Sequence, residues 1–377
     1  MKREWNSFAE SQQQPKPVPD VSAFAKSFGE PPLRSLELRK DYKQHIRELL
    51  DLEKLIRQYP ELMRVNIEHN LLWEGRELPL YSLTLGSRAA DAPTVLLTGG
   101  MHGVERIGSQ VIIAWLQTLL ERLSWDSSVQ QQLAQIQLVI MPILNPVGMY
   151  LNRRCNGRGI DLNRNAPIDA EDKTPWLGGG HRFGTFLPWY RGEKNSPMEA
   201  ENLALERVIK RQVLGRSVAV VLDLHSGFGM QDRLWFPYAY RRKPIGNIAQ
   251  YFALKTLWER TYPNHTYIFE PQSVHYLSHG DVWDYFYQLS KQQSGCHFLP
   301  LTLEMGSWNW IKKRPRQLLN FAGLFNPQMK HRHSRVLRSH LVLLDFMLAA
   351  TLNSKHWLPD EKQSAQFTEA AIQRWFI

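Results

Sequence analysis

At 377 residues with 43% hydrophobic content the chain can bury a large core, and length alone allows one large or two ordinary domains. No stretch approaches the roughly eighteen consecutive apolar residues of a membrane-spanning helix, so no such span is expected. The formal charge of +10 admits an acidic partner, but eight Lys or Arg residues and no acid lie between Ile311 and His340. The excess is therefore read as a local solvated face, with no nucleic-acid-binding signature beside it.

Residues 1–40 hold Gln, Pro and Ser without periodicity, and are expected to form an extended or disordered arm. They show no apolar signal region, and Cys155 and Cys296 offer no disulfide framework, so a reducing cytoplasm is expected. Helical spacing begins around Asp41 and ends at Tyr59-Pro60. Strand-like runs follow over Met63 to His69, Leu78 to Leu85 and Pro93 to Thr98. A helix from Val104 to about Leu123 and an apolar run from Ile136 to Leu144 come next.

Asn145 to Asn165 is dense in Asn, Gly and Arg and is predicted to be a long loop over one edge of a sheet. Ser196, Pro197 and Glu199 have the pattern of an N-cap, a first-turn proline and a capping box. Further buried strands are expected over Ser217 to Leu224 and Leu299 to Leu303, and a long helix over His333 to Leu352. The alternation predicts an α/β fold, a mixed central β-sheet flanked by helices. One catalytic domain spans 41–355 in this reading, and 356–377 is a C-terminal tail.

The chemistry-bearing residues gather at strand ends. The strand Thr94 to Thr98 runs into Gly99 and Gly100, and His102 and Glu105 follow at the start of a helix, three apart. Alone, His-x-x-Glu is weak, because a surface histidine beside a helix-start glutamate is the commoner occurrence. The strand Ser217 to Leu224 ends at His225, placed as a third ligand would be, with Asp223 on its own face of the strand. Leu299 to Leu303 ends at Glu304, a carboxylate whose pKa could be tuned there for proton transfer. Arg153, Arg154, Arg158 and Arg164 provide guanidinium forks suited to carboxylates and oxyanions.

From about Glu48 to Ser307 these residues resemble the M14-type zinc metallocarboxypeptidases, typified by the digestive carboxypeptidases. His102-Gly-Val-Glu105 is similar to the family's first two zinc ligands, and His225 in Leu-Asp-Leu-His-Ser-Gly to its third. Asp161-Leu-Asn163-Arg164-Asn165 resembles the pair that grips a substrate's terminal carboxylate. Arg154 matches the arginine that polarises the scissile carbonyl, although Arg153 beside it leaves the register open. Tyr276, with Gly280 and Asp284-Tyr285, has the spacing of the segment bearing a mobile tyrosine, and Glu304 looks like the catalytic glutamate.

The chain departs from the family at Val147, where an Asp is frequent, and at Trp283, in a position that shapes the side-chain pocket of the digestive enzymes. The resemblance implies a zinc-carboxypeptidase-like fold with one zinc ion held by two imidazoles and a carboxylate, a ligand set that leaves a position open for water. Glu304 would move the proton and Arg154 would face the developing oxyanion. Asn163, Arg164 and Tyr276 would hold the substrate. The expected activity is removal of a C-terminal amino acid, or a related carboxylate-bearing amide, from a small peptide. An N-acyl amino acid deacylase and an inactive scaffold with a basic binding face stand as alternatives. No membrane partner is expected, and oligomeric state is not legible.

Overall fold

A computed structural model describes residues 45–292 and 296–377. The arm expected over residues 1–40 and the helix start at Asp41 lie outside the described residues. An eight-stranded mixed sheet runs β1 (Arg64–Trp73), β2 (Arg76–Gly86), β3 (Thr94–Gly99), β4 (Gln137–Met141), β5 (Val218–Ser226), β6 (Arg233–Phe236), β7 (Ile268–Pro271) and β8 (His297–Met305). Its spatial order is β1-β2-β4-β3-β5-β8-β6-β7. The central strands β4, β3, β5 and β8 are parallel, while β1, β2 and β6 introduce antiparallel pairings.

Burial explains the central strands. Every residue of β3, β4 and β5 is buried, as expected of parallel strands covered on both faces, and Val, Ile and Leu dominate them. Described helices flank the sheet: α1 (Arg47–Gln58), α2 (Arg106–Arg122), α3 (Ala200–Val208), α4 (Ile248–Thr261), α5 (Val282–Ser290), α6 (Trp308–Lys313), α7 (Lys330–Leu352) and α8 (Glu361–Trp375). α2 carries Ile107, Val111, Ile112, Trp115, Leu116 and Leu119 into the core. α7 does the same with Leu343, Leu344 and Met347.

Two local expectations are corrected. The Ser196 capping box does not form: α3 starts at Ala200 after Glu199, and it is the Asn165 side-chain oxygen that accepts the Glu199 amide at 2.7 Å. A tertiary partner has replaced the local cap. The C-terminal residues, read as a tail, contain α8, which has its own Asp360–Gln363 capping box and packs on α4. The buried Trp375 indole donates to the Phe269 carbonyl at 2.9 Å, tying this helix to β7. No helix among the described residues is long and apolar enough to cross a membrane.

Topology fixes where a ligand can sit. From β3 the chain moves to β4 on one side, then returns to place β5 on the other, so β3 and β5 flank a switch point. The carboxyl ends of β3, β5 and β8 open onto the same edge, and crevices of open α/β sheets lie there.

Candidate metal centre and active site

The turn after β3 is built by glycine. Gly100 has φ +66°, and a Cβ on Gly103 would lie 2.0 Å from the Gly148 carbonyl carbon, so only glycine fits where the two loops touch. This turn delivers His102 and Glu105, with the Glu105 amide donating to the His102 carbonyl at 3.0 Å. From β5 comes His225, which lies directly opposite Glu304 of β8 in the parallel register. Residues far apart in sequence are thus neighbours because three parallel strands end together.

His102, Glu105 and His225 are buried and present one ligand atom each within 4.8 Å of one another. His102 Nδ1 lies 2.9 Å from Glu105 Oε1, and His225 Nδ1 lies 3.2 Å from both Glu105 Oε2 and His102 Nδ1. The outer nitrogens are held by acids: His102 Nε2 is 3.1 Å from Asp161, and His225 Nε2 is 2.7 Å from Asp223. Such a carboxylate fixes the proton on the outer nitrogen and turns the inner lone pair toward a metal. This donor set fits a borderline-soft divalent ion with a free coordination position.

The supporting acids are themselves anchored. Asp223 accepts from Thr98 Oγ1 at 2.8 Å and from the Trp283 indole at 2.9 Å. Asp161 also accepts from Arg154 Nε at 2.8 Å, so one carboxylate ties the first histidine to the guanidinium. Trp283, at the position expected to shape a substrate pocket, is buried, and its indole donates to the Asp223 carboxylate that supports His225. Sequence reasoning assigned no role to Asp161, and its signal was only the Asp two residues before Asn163.

Electrostatics follow the geometry. Burial pushes the His225 imidazole toward neutrality, yet Asp223 and Glu105 overcome it and hold its pKa well above the ordinary value. Burial likewise opposes ionisation of Glu105, but His102 and His225 pull its pKa below the usual carboxylate range. The cluster is therefore organised around positive charge. Glu304 behaves differently: burial pushes it up to about 7, with Glu105 adding repulsion and His225, His102 and Arg154 opposing. A carboxyl near 7 can both take and return a proton.

The arginines divide clearly. Arg153 is exposed, whereas Arg154 turns inward and pairs with Asp161 at 2.8 Å and Glu105 at 3.3 Å. Arg158 is exposed and pairs with Glu199. Arg164 is only 2% exposed yet makes no ion pair with any described residue. Among the described residues its guanidinium hydrogen-bonds the Asn163 carbonyl at 3.1 Å and the Tyr276 hydroxyl at 3.5 Å, and its Nε and the Asn163 side-chain oxygen find no partner there. Tyr276 also stacks its ring 5.9 Å from that guanidinium.

A family model for zinc carboxypeptidase, Peptidase_M14, matches residues 50–307, a span that contains every residue of this cluster. The chain belongs to the zinc carboxypeptidase family. Zinc is accordingly the ion these donors fit. Among relatives, carboxypeptidase SOL1 of Arabidopsis thaliana is 26% identical over 142 residues, covering 37% of this chain and 28% of that protein. Carboxypeptidase E of Caenorhabditis elegans is 33% identical over 109 residues, covering 25% of this chain and 23% of that protein. The match thus spans about a quarter of these relatives' own length. The solved structure of thrombin activatable fibrinolysis inhibitor superposes with a TM-score of 0.61 at 17% identity, covering 88% of this chain and 81% of that one. The bovine form in complex with tick carboxypeptidase inhibitor gives 0.57 at 17% identity, over 85% of this chain and 98% of that one. These likenesses show the shared carboxypeptidase fold.

Proposed function

We propose that this member of the zinc carboxypeptidase family removes the C-terminal amino acid from small peptides. The observation that carries the reading is Arg164, a buried guanidinium that makes no contact ion pair with a described residue and acts on Asp161 and Asp281 only through space. A buried charge without a contacting counter-ion is costly, so this guanidinium is suited to an anion brought by the ligand. A carboxylate fits the fork, and the orphaned Asn163 oxygen would accept from the substrate beside it.

His102, Glu105 and His225 would hold the zinc ion. When bound, zinc polarises the scissile carbonyl and acidifies a water molecule. Glu304 takes the proton of the attacking water and delivers it to the departing amine, a role supported by its placement opposite His225 and its pKa near 7. Arg154 donates to the oxygen on which negative charge develops, held in aim by Asp161. Tyr276, resting over Arg164, covers the bound carboxylate and excludes water. Two free cysteines, Cys155 and Cys296, support a reducing compartment.

An N-acyl amino acid presents the same amide and carboxylate, so substrate length decides between peptidase and deacylase. The inactive-scaffold alternative would leave a proton-transfer carboxyl near 7 beside a complete donor set without a use. The test is a comparison of blocked dipeptides, longer peptides and N-acyl amino acids, each with a free or amidated C-terminus, using protein of measured zinc content. We expect free carboxylates to be favoured by about 100-fold or more in kcat/KM, the worth of a charge-assisted pair. Equal hydrolysis of the amides would remove Arg164 from the account, and preference for N-acyl amino acids over peptides would select the deacylase.

A further inference from the structure

The segment following Glu304 is not used by the proposed chemistry, yet it is clamped to both loops that carry the metal-binding groups. The Trp308 indole donates to the Gly227 carbonyl at 2.9 Å, and the Phe325 carbonyl accepts from Ser226 Oγ at 2.8 Å. Asn326 accepts the Ile107 amide at 3.0 Å and donates to the Val104 carbonyl at 2.7 Å, gripping the turn that bears His102 and Glu105. The segment holds itself together as well. Gln317 donates to the carbonyls of Gly323 and Asn326 at 2.7 and 2.9 Å, and Arg332 of α7 donates to the Trp310 carbonyl at 3.1 Å.

Its outer surface combines two properties. Seven of the eight Lys and Arg residues between Ile311 and His340 are exposed, and none of the eight forms an ion pair with a described residue. The same stretch, with Trp308 just before it, also carries exposed large apolar side chains: Leu319 is 89% exposed, Phe321 55% and Trp308 51%. Nucleic acid would use the charge, and would stack an aromatic ring, but gains nothing from an exposed leucine. Cations flanking protruding Leu and Phe side chains match the boundary between anionic headgroups and acyl chains, where both kinds of group are favourably placed.

We propose that this basic, apolar-tipped rim docks on an anionic lipid surface. The contact is peripheral, consistent with no described helix being a membrane span. Leu319 and Phe321 enter the interface while Lys312, Lys313 and Arg316 lie against the headgroups. Because the rim is bonded to the loops at the ends of β3 and β5, docking holds the site near the lipid surface.

The test uses the zinc-loaded full chain in flotation with vesicles of phosphatidylcholine alone and of phosphatidylcholine mixed with phosphatidylglycerol. Expected is binding at least about tenfold tighter to the mixed vesicles, weakening with salt. The variant K312E/K313E/R316E should lose that preference. The variant L319S/F321S should weaken mixed-vesicle binding by at least about fivefold while leaving binding to heparin unchanged. Both variants should hydrolyse a soluble substrate of the wild-type chain at the wild-type rate, which shows that they fold. Equal binding to neutral and mixed vesicles would overturn the proposal. So would mixed-vesicle binding indifferent to L319S/F321S, which would mark a general polyanion surface.

Discussion

Asp223 governs how His225 meets a metal ion. Its carboxylate receives His225 Nε2, the Trp283 indole and Thr98 Oγ1, so the imidazole cannot turn without breaking a buried network. Asp223→Asn removes the negative charge that keeps the proton on Nε2. We expect zinc affinity to fall about 10- to 100-fold, measured by competition with a chelator, with the fold intact by circular dichroism. Unchanged affinity would make Asp223 merely a buried hydrogen-bonding group.

If Glu304 is the base, it is expected to set the acid side of the pH profile. Its pKa is raised, to about 7 without the ion, and it must be ionised to accept a proton, so activity is lost as pH falls through its pKa. A dication beside it favours the carboxylate, and places the limb of the loaded enzyme below 7. The expected log kcat/KM therefore rises with a slope of about one on the acid side and levels off toward neutrality. The same shift has a stability sign. A carboxyl raised in the folded state costs stability increasingly as pH rises from the ordinary value toward 7, so the metal-free protein is expected to be more stable on the acid side of this interval. A profile flat through weakly acidic pH would contradict the assignment of Glu304 as base.

At the scale of elements, the site depends on how closely α2 rests on β5. Gly108 makes that approach possible, since a Cβ there would stand 2.3 Å from the Leu224 carbonyl oxygen, one residue before His225. Backbone cannot yield as a flexible side chain would. Gly108→Ala is expected to cost about 2–4 kcal/mol in chemical denaturation and to loosen zinc binding, because it pushes the start of α2, with Glu105, away from His225. Full stability in this variant would show that the helix can shift freely.

These elements also show what could be read without coordinates. The parallel strands β3, β5 and β8 were legible because burial on both faces demands uninterrupted apolar runs, and such runs end visibly at His102, His225 and Glu304. β6 and β7 were not, being four residues each with mixed polarity. The cap of α3 was misread because local pattern cannot reveal that Asn165, distant in sequence, would take the amide of Glu199.

For the whole molecule, the convergence of three strand ends creates the site, and no local motif contains it. His102 and Glu105 are separated from His225 by the entire stretch forming β4 and α3, and the sheet order alone puts β3 beside β5 and β5 beside β8. Residue types at strand ends therefore pointed to the inward-facing groups, while the supporting contacts of Asp161, Thr98 and Trp283 were not legible. Their roles arise from packing between loops, which leaves no periodic trace in sequence. Arg154 rather than Arg153 faces inward for the same reason: Asp161 waits on one side of the loop only.

The central claim is that one zinc-loaded pocket, served by Glu304, frees C-terminal amino acids. Its most direct measurement is the time course of amino acid release from a blocked dipeptide by the wild-type chain and Glu304→Gln, both loaded to equal, measured zinc content. The account predicts steady release by the wild type and a rate at least about 100-fold lower for the variant, with zinc content unchanged. Equal rates would contradict it, as would no release by the fully loaded wild type.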